Sequence, residues 1–159
     1  WLDDRAADIG FFSYQEGMPY EFIPLAEDPM LAVLPRDHPM ANAECYPLEN
    51  CKYDRFIMPA LGCDDDIEAL FTQNGIEPNV QFTTLESFSV MSMVEQGLGM
   101  SIMNQLITEK RICDIAMLPL DPPSYCTLGV AMNSKADVSP AVKMFLKYAV
   151  RILTRIEKA

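Results

Sequence analysis

The segment TTLESFSVMSMVEQGLGMSIMN, residues 83–104, joins two periodicities in one short run. Thr83 and Glu86 stand at capping-box spacing, where a hydroxyl and a carboxylate together satisfy the first free amides of a helix. Val90, Met91, Val94 and Leu98 then recur at helical spacing. Gly97 suits the left-handed turn that stops a helix. Gly99, Met100, Ser101, Ile102 and Met103 read as a mostly apolar, buried strand. The unit is therefore strand end, helix, glycine turn, strand. Its helix start carries the small polar cluster Thr83, Thr84 and Ser87, which either caps the helix or holds a carboxylate or other anion on free N–H groups. The Gly97–Gly99 turn is no dinucleotide fingerprint, because the third glycine is missing.

Working outward, the same alternation continues. Residues 1–8 read as the end of a helix. Ile9 to Phe12 reads as a buried strand ending near Ser13. Tyr20 to Leu25 is a strand that Pro24 keeps at an edge, followed by a turn at Glu27-Asp28-Pro29. Met30 to Leu34 is a buried strand stopped by Pro35. His38 lies in a two-proline turn, where a turn hydrogen bond competes with a pH-sensitive or ligand role. Pro47 to Cys51 suggests a short helix and Arg55 to Met58 a strand. A loop, Ala60-Leu61-Gly62-Cys63, leads to a helix whose first turn holds Asp64, Asp65 and Asp66, as the helix dipole favours. Ile67, Leu70 and Phe71 are its inward stripe, and Asn74-Gly75 ends it. Val80 to Thr83 is a strand, as is Ile112 to Leu118, with Pro119, Pro122 and Pro123 marking a loop. Thr127 to Met132 is the last strand. Ser139-Pro140 starts the last helix, with Val142, Phe145, Leu146, Ala149, Ile152, Leu153 and Ile156 facing inward. Strands alternating with helices predict an α/β fold with mainly parallel sheets. Ligands in such folds sit at the carboxyl ends of strands, which makes Ser13, Ala60–Cys63 and Thr83–Ser87 the candidate walls of a crevice.

Composition removes several function classes. The 159 residues are half apolar, enough for a core, and suit one domain or two small lobes. Twenty-three acidic against 12 basic residues leave a formal net charge of -11, which disfavours direct binding of free nucleic acid. Lys143, Lys147, Arg151, Arg155 and Lys158 repeat on one face of the last helix, read as a solvated face. The five cysteines include no CxxC pair and make neither a disulfide framework nor a zinc site, in keeping with a reducing cytoplasm. A single histidine excludes a histidine-rich metal centre, and consecutive aspartates lack the alternating ligands of a calcium loop. Cys63 sits where a helix start lowers a thiol pKa and three carboxylates raise it; it reads as a bystander. No cofactor is implied, no membrane span is present, and no nucleophile–base constellation points to catalysis. The chain starts at Trp1, which leads to the expectation of a longer parent.

Four short motifs in order give a family resemblance. LAVLPRDHPMA (31–41) resembles the L-x-V-x-P-x-x-H-P-L-A segment of LysR-type transcriptional regulators. RAADIGFFS (5–13) resembles the family's preceding strand, Gly75-Ile76-Glu77-Pro78 its G-[IF]-x-P turn, and Val94–Ser101 its V-x-x-G-x-G-I-[AS] segment. The resemblance implies an effector-binding domain of the type 2 periplasmic-binding-protein fold, with two α/β lobes holding a small molecule between them. Residues 26–125 would be the second lobe, and residues 1–25 and 126–159 the remaining part of an incomplete first lobe. Ser13, Ala60, Leu61, Gly62, Cys63, Thr84, Leu85 and Glu86 match positions that contact effector. Asn104 departs from the family, which usually has proline there.

The resemblance further implies partners: a small-molecule effector, an anion among the candidates; a homo-oligomer; DNA, reached only through an N-terminal helix-turn-helix absent from this chain; and RNA polymerase. Effector would alter the lobes and so the spacing of DNA-reading modules. Two rivals share the fold: a transporter's solute-binding protein, which would need an export signal, and a redox-sensing regulator acting through Cys63, although Phe71 and Thr72 stand where a partner cysteine is expected. An enzyme reading has only Glu86 to draw on. An incomplete first lobe would also expose a sheet edge and apolar surface, leading to association with another copy.

Overall fold

The computed structural model describes residues 1–59, 64–109, 113–134, 136 and 138–156, with the side chains of 64 and 153–156 outside that description. Its strands are β1 (Gly10–Ser13), β2 (Glu21–Pro35), β3 (Tyr46–Pro47), β4 (Phe56–Pro59), β5 (Val80–Thr84), β6 (Ser101–Asn104), β7 (Ile115–Asp121) and β8 (Tyr125–Met132). Its α-helices are α1 (Asp64–Asn74), α2 (Ser87–Glu95), α3 (Gln105–Thr108) and α4 (Pro140–Ile156), with a 3-10 helix at Leu48–Lys52. The chain divides into two compact units, residues 29–125 and residues 1–28 with 126–159.

The larger unit is built on β2. Leu31 pairs with Met103 of β6 and also with Pro119 of β7, both antiparallel, so the two strands take opposite edges of β2. β7 pairs parallel with β3, and β4 pairs parallel with β5. A parallel bridge between Phe56 and Met100 continues β6 into β4, held by Ile57 N–H donating to Met100 O at 2.8 Å and Met100 N–H to Arg55 O at 2.8 Å. The order is therefore β5-β4-β6-β2-β7-β3, and β2 alone runs against the other five. Their carboxyl ends share one edge.

Alternation along β2 divides the core. Met30, Ala32 and Leu34 join Ile67, Leu70 and Phe71 of α1, together with Tyr46, Phe56 and Ile102, in one cluster. Val33 joins Val90, Met91 and Val94 of α2 with Ile57 and Met103 in another. Successive strand residues face opposite sides, so α1 and α2 cover opposite faces, the arrangement that runs of buried residues on both faces predict. Gly75 and Gly97 close α1 and α2 at φ 63 and φ 72. Gly99 is constrained by space instead. A Cβ there would lie 2.5 Å from Arg55 O, so a side chain would force β6 off β4.

A polar network sits within this unit. The Tyr46 hydroxyl donates to Asp54 Oδ2 at 2.7 Å, and His38 Nε2 lies 3.3 Å from the same oxygen. Met40 N–H donates to His38 Nδ1 at 3.2 Å, so His38 carries its proton on Nε2 when neutral and makes the turn hydrogen bond anticipated for it. Burial pushes the neighbouring Cys51 thiol up from 9.0 to about 12, against a hydrogen bond with Tyr46 and with the charge of Asp54. Burial, then the Asp54 hydrogen bond, pushes the Tyr46 phenol well above its ordinary value.

The smaller unit holds β1-β8-β2, with β1 and β8 antiparallel, and α4. Ser139 caps α4 as expected, its Oγ accepting from Val142 N–H at 3.3 Å. Here Val130, Met132, Val138 and Leu146 form the core, with Ile9, Ile23, Leu25 and Val142 against it.

Several expectations need correction. The predicted turn at Glu27–Pro29 is absent: β2 runs unbroken from Glu21 to Pro35. Pro119 lies inside β7 rather than in a loop. β1 is not buried, since Phe11 is 61% exposed. Among the described side chains the inward stripe of α4 narrows to Val142, Leu146 and the half-buried Ala149, while Phe145 and Ile152 are 46% and 57% exposed; Leu153 and Ile156 lie outside that description. The sheet covers only one side of that helix, so a stripe this wide leaves its margin in water. Lys143, Lys147 and Arg151 are exposed, as a solvated face requires.

Two outcomes follow from this packing. Gly99→Ala is expected to cost about 1–3 kcal/mol in urea unfolding, because the obstructing atom is backbone. Cys51 stabilises the fold while its thiol is neutral in both states; that contribution is present below pH 9 and is lost between pH 9 and about 12. Unfolding at pH 10 should then show about 1 kcal/mol less stability from this group, a loss that Cys51→Ala removes.

Candidate functional site

The carboxyl edge of the larger unit gathers four chain segments. β4 ends at Pro59, which is buried, and residues 60–63 follow it. β5 ends at Thr84, and Leu85-Glu86 turn the chain into α2. β6 ends at Asn104 and passes into α3. β7 ends at Asp121, before Pro122, Pro123 and Ser124. The open edge of a sheet whose helices lie on both faces is where side chains and helix starts converge without covering each other.

The turn into α2 differs locally from the capping box anticipated. Thr83 belongs to β5, the helix starts at Ser87, and Glu86 occupies the cap position in extended backbone (φ -116, ψ 115) with no side-chain capping bond. The strand runs further than its hydrophobic pattern suggests because β5 pairs with β4 through Pro59↔Thr84. Glu86 N–H instead reaches Thr84 Oγ1 at 3.5 Å, and Glu86 O accepts from Ser89 and Val90 N–H at 2.9 and 3.2 Å. Thr84 and Ser87 are half-buried, Leu85 is 64% exposed and Glu86 is exposed. Val90, Met91 and Val94 anchor the helix beneath them at complete burial, whereas Leu98, expected inward, is 40% exposed.

The turn therefore presents a half-buried hydroxyl, an exposed apolar side chain and an exposed carboxylate at a fixed helix start. Of the other predicted contact residues, Ser13 ends β1 in the smaller unit and is half-buried. Ala60, Leu61, Gly62 and Cys63 lie outside the described residues. Phe71, standing where a redox partner cysteine would be, is packed into the core on α1. Among the described residues no group of three or more His, Cys, Asp or Glu is placed to hold a metal ion, and no helix is long and apolar enough to cross a membrane.

Sequence reasoning passed over the chemistry of Asn104, noting it only as a departure from proline. It is 5% exposed, and its Oδ1 is buried with no hydrogen-bond partner among the described residues. The available signal was a carboxamide closing β6 directly after the apolar pair Ile102-Met103. By contrast, Ser101, the other polar residue of that strand, is fully employed: its Oγ donates to Ile57 O at 2.8 Å across to β4.

The LysR substrate binding domain family matches residues 1–153. The HTH-type transcriptional regulator YvbU of Bacillus subtilis is 29% identical over 152 residues, which are 94% of this chain and 51% of that protein. The chain thus spans about half the length of the curated relatives it matches. The regulatory domain of CcmR from Synechocystis, solved in complex with 2-PG, superposes with a TM-score of 0.82 at 21% identity, over 96% of this chain and 76% of that one. The effector binding domain of QuiR, solved in complex with shikimate, gives 0.81 at 24% identity, over 97% and 75%. At these identities the two structures establish the periplasmic-binding-protein-like fold, while the family match carries the kinship.

If the turn into α2 is free of structural duty, Glu86→Ala should change the free energy of unfolding by no more than about 0.5 kcal/mol. A loss of several times that in urea titration would place Glu86 among the structural residues. With the motifs, the five co-directed strands and the family match in agreement, this chain belongs to the LysR substrate-binding domain family, the effector-binding domains of LysR-type transcriptional regulators.

Proposed function

We propose that the chain is the small-molecule sensing part of a LysR-type DNA-binding regulator and not a catalyst. The observation that carries this reading is the family match over residues 1–153, joined to a carboxyl-edge turn at which Leu85 and Glu86 are exposed. Ser13, residues 60–63, Thr84, Leu85 and Glu86 are the proposed effector contacts. The effector is a small molecule, with carboxylate-bearing compounds first in line because the start of α2 favours negative charge. Residues 29–125 act as the second lobe, and the remainder as part of the first. DNA is met through a helix-turn-helix outside this chain, since a net charge of -11 gives the domain itself no electrostatic attraction for phosphate. The regulator works in the cytoplasm, with RNA polymerase as its downstream partner.

Association with further copies is supported by two open edges. β5 pairs with β4 alone among the described strands, and its Val80 and Phe82 are exposed. β1 ends the sheet of the smaller unit, and exposed Phe11 packs edge-on against Phe145 of α4, ring centroids 6.2 Å apart. Effector shifts the oligomer only if it binds two of its states unequally.

The test is thermal unfolding of the intact regulator against a panel of small carboxylates, hydroxy acids, amino acids and sugars. At a ligand concentration a hundred times Kd, about 2.7 kcal/mol of stabilisation is expected, read as a rise in Tm. Thr84→Val or Glu86→Gln should weaken that rise while leaving the unliganded Tm in place. A rise unaffected by both variants would move the site elsewhere.

A further inference from the structure

Asn104 poses an accounting problem that the fold leaves open. A buried acceptor without a partner costs on the order of 1–3 kcal/mol, and native structures carry few of them. The ordinary explanation for an asparagine before a helix is capping. That explanation fails here: Asn104 has cap backbone angles (φ -69, ψ 141), yet its side chain makes no capping bond to α3. Nor does it serve the sheet, because Oδ1 is unpartnered among the described residues.

Its position specifies what it can serve. Asn104 is the last residue of β6 and lies directly opposite Met30 in the register with β2. Residues directly opposite share a face, and Met30, Ala32 and Ile102 all belong to the cluster beneath α1. The carboxamide therefore projects on the α1 face, at the edge where β4, β5 and β6 all end. Ser101, three residues earlier, points to the other face and is satisfied. The strand thus carries one spent polar group in the sheet interior and one unspent group at its carboxyl end.

We infer that Asn104 Oδ1 is a specificity-determining acceptor that takes a hydrogen bond from a hydroxyl or N–H group on the bound effector. This rests on the effector-binding reading above and narrows it: the effector carries a donor in addition to any carboxylate. Donor-free acids of the same shape would leave the oxygen as unpaired as it is without ligand, forgo that bond and bind more weakly.

The test uses Asn104→Leu in the intact regulator, with probes in pairs that differ only in donors: shikimate against cyclohex-1-ene-1-carboxylate, lactate against propionate, 4-hydroxybenzoate against benzoate, and the wider panel arranged likewise. Without probe, Asn104→Leu is expected to unfold at the parent Tm or above, since an apolar group replaces an unpaired one. A fall of more than about 3 °C would show that Asn104 is employed by the fold and overturn the inference. With probe, the parent should prefer the donor-bearing member of its responsive pair by about tenfold or more in Kd, and Asn104→Leu should abolish that preference while still binding the donor-free member. Equal preference in parent and variant overturns the inference and leaves effector binding intact. A parent that responds to no member of the panel counts against effector binding itself, and the inference falls with it.

Discussion

The larger unit depends on the pairing of β2 with β6 and β7 on its two edges. Each residue from Leu31 to Val33 is fixed by partners on both sides, and the alternation of its side chains then determines what packs above and below. A shift of one residue would exchange Ala32 and Leu34 with Val33 and bring each helix against the wrong set. Two distinct clusters of complete burial on opposite faces leave no room for such a slip. The reversed direction of this one strand also lets the chain enter the unit at Met30, at the edge where the other strands end.

That edge is the place where the unit stops satisfying itself. Within the sheet, backbone groups pair, and Ser101 reaches Ile57 O. Elsewhere in the unit, Tyr46, Asp54 and His38 satisfy one another, and Cys51 is held neutral by burial. These groups stiffen the frame. At the carboxyl edge the pattern changes: Glu86 caps nothing with its side chain, Leu85 stands in water, and Asn104 holds a buried oxygen with no partner among the described residues. A satisfied frame bearing unsatisfied groups at one edge is the physical form of a binding domain.

The residues differ in how openly they declared themselves. Ile67, Leu70 and Phe71 announced the inner face of α1 because period and burial coincide there. Gly75 and Gly97 announced helix ends because both need positive φ. Thr83 misled, because its hydroxyl fits a capping box while its backbone is claimed by β4; non-local pairing overrode a local signal. Pro29 and Pro119 suggested breaks that β2 and β7 do not make, since proline removes a donor without forbidding extended backbone. Leu98, Phe145 and Ile152 matched the helical period, yet all three keep a large share of their surface exposed.

What the sequence alone determined was therefore the kind of protein: an α/β chain, its helix faces, its glycine stops and its motifs in family order. Each of these is encoded within a few residues, by periodicity or by a backbone angle that one residue type supplies. Tertiary structure alone decided that β2 is a single strand shared between two partners, that Glu86 rather than Thr83 precedes α2, and that Asn104 Oδ1 is buried with no hydrogen-bond partner among the described residues. Pairing register, strand length and the partners of a buried polar atom depend on residues far apart in the chain, so no local pattern carries them.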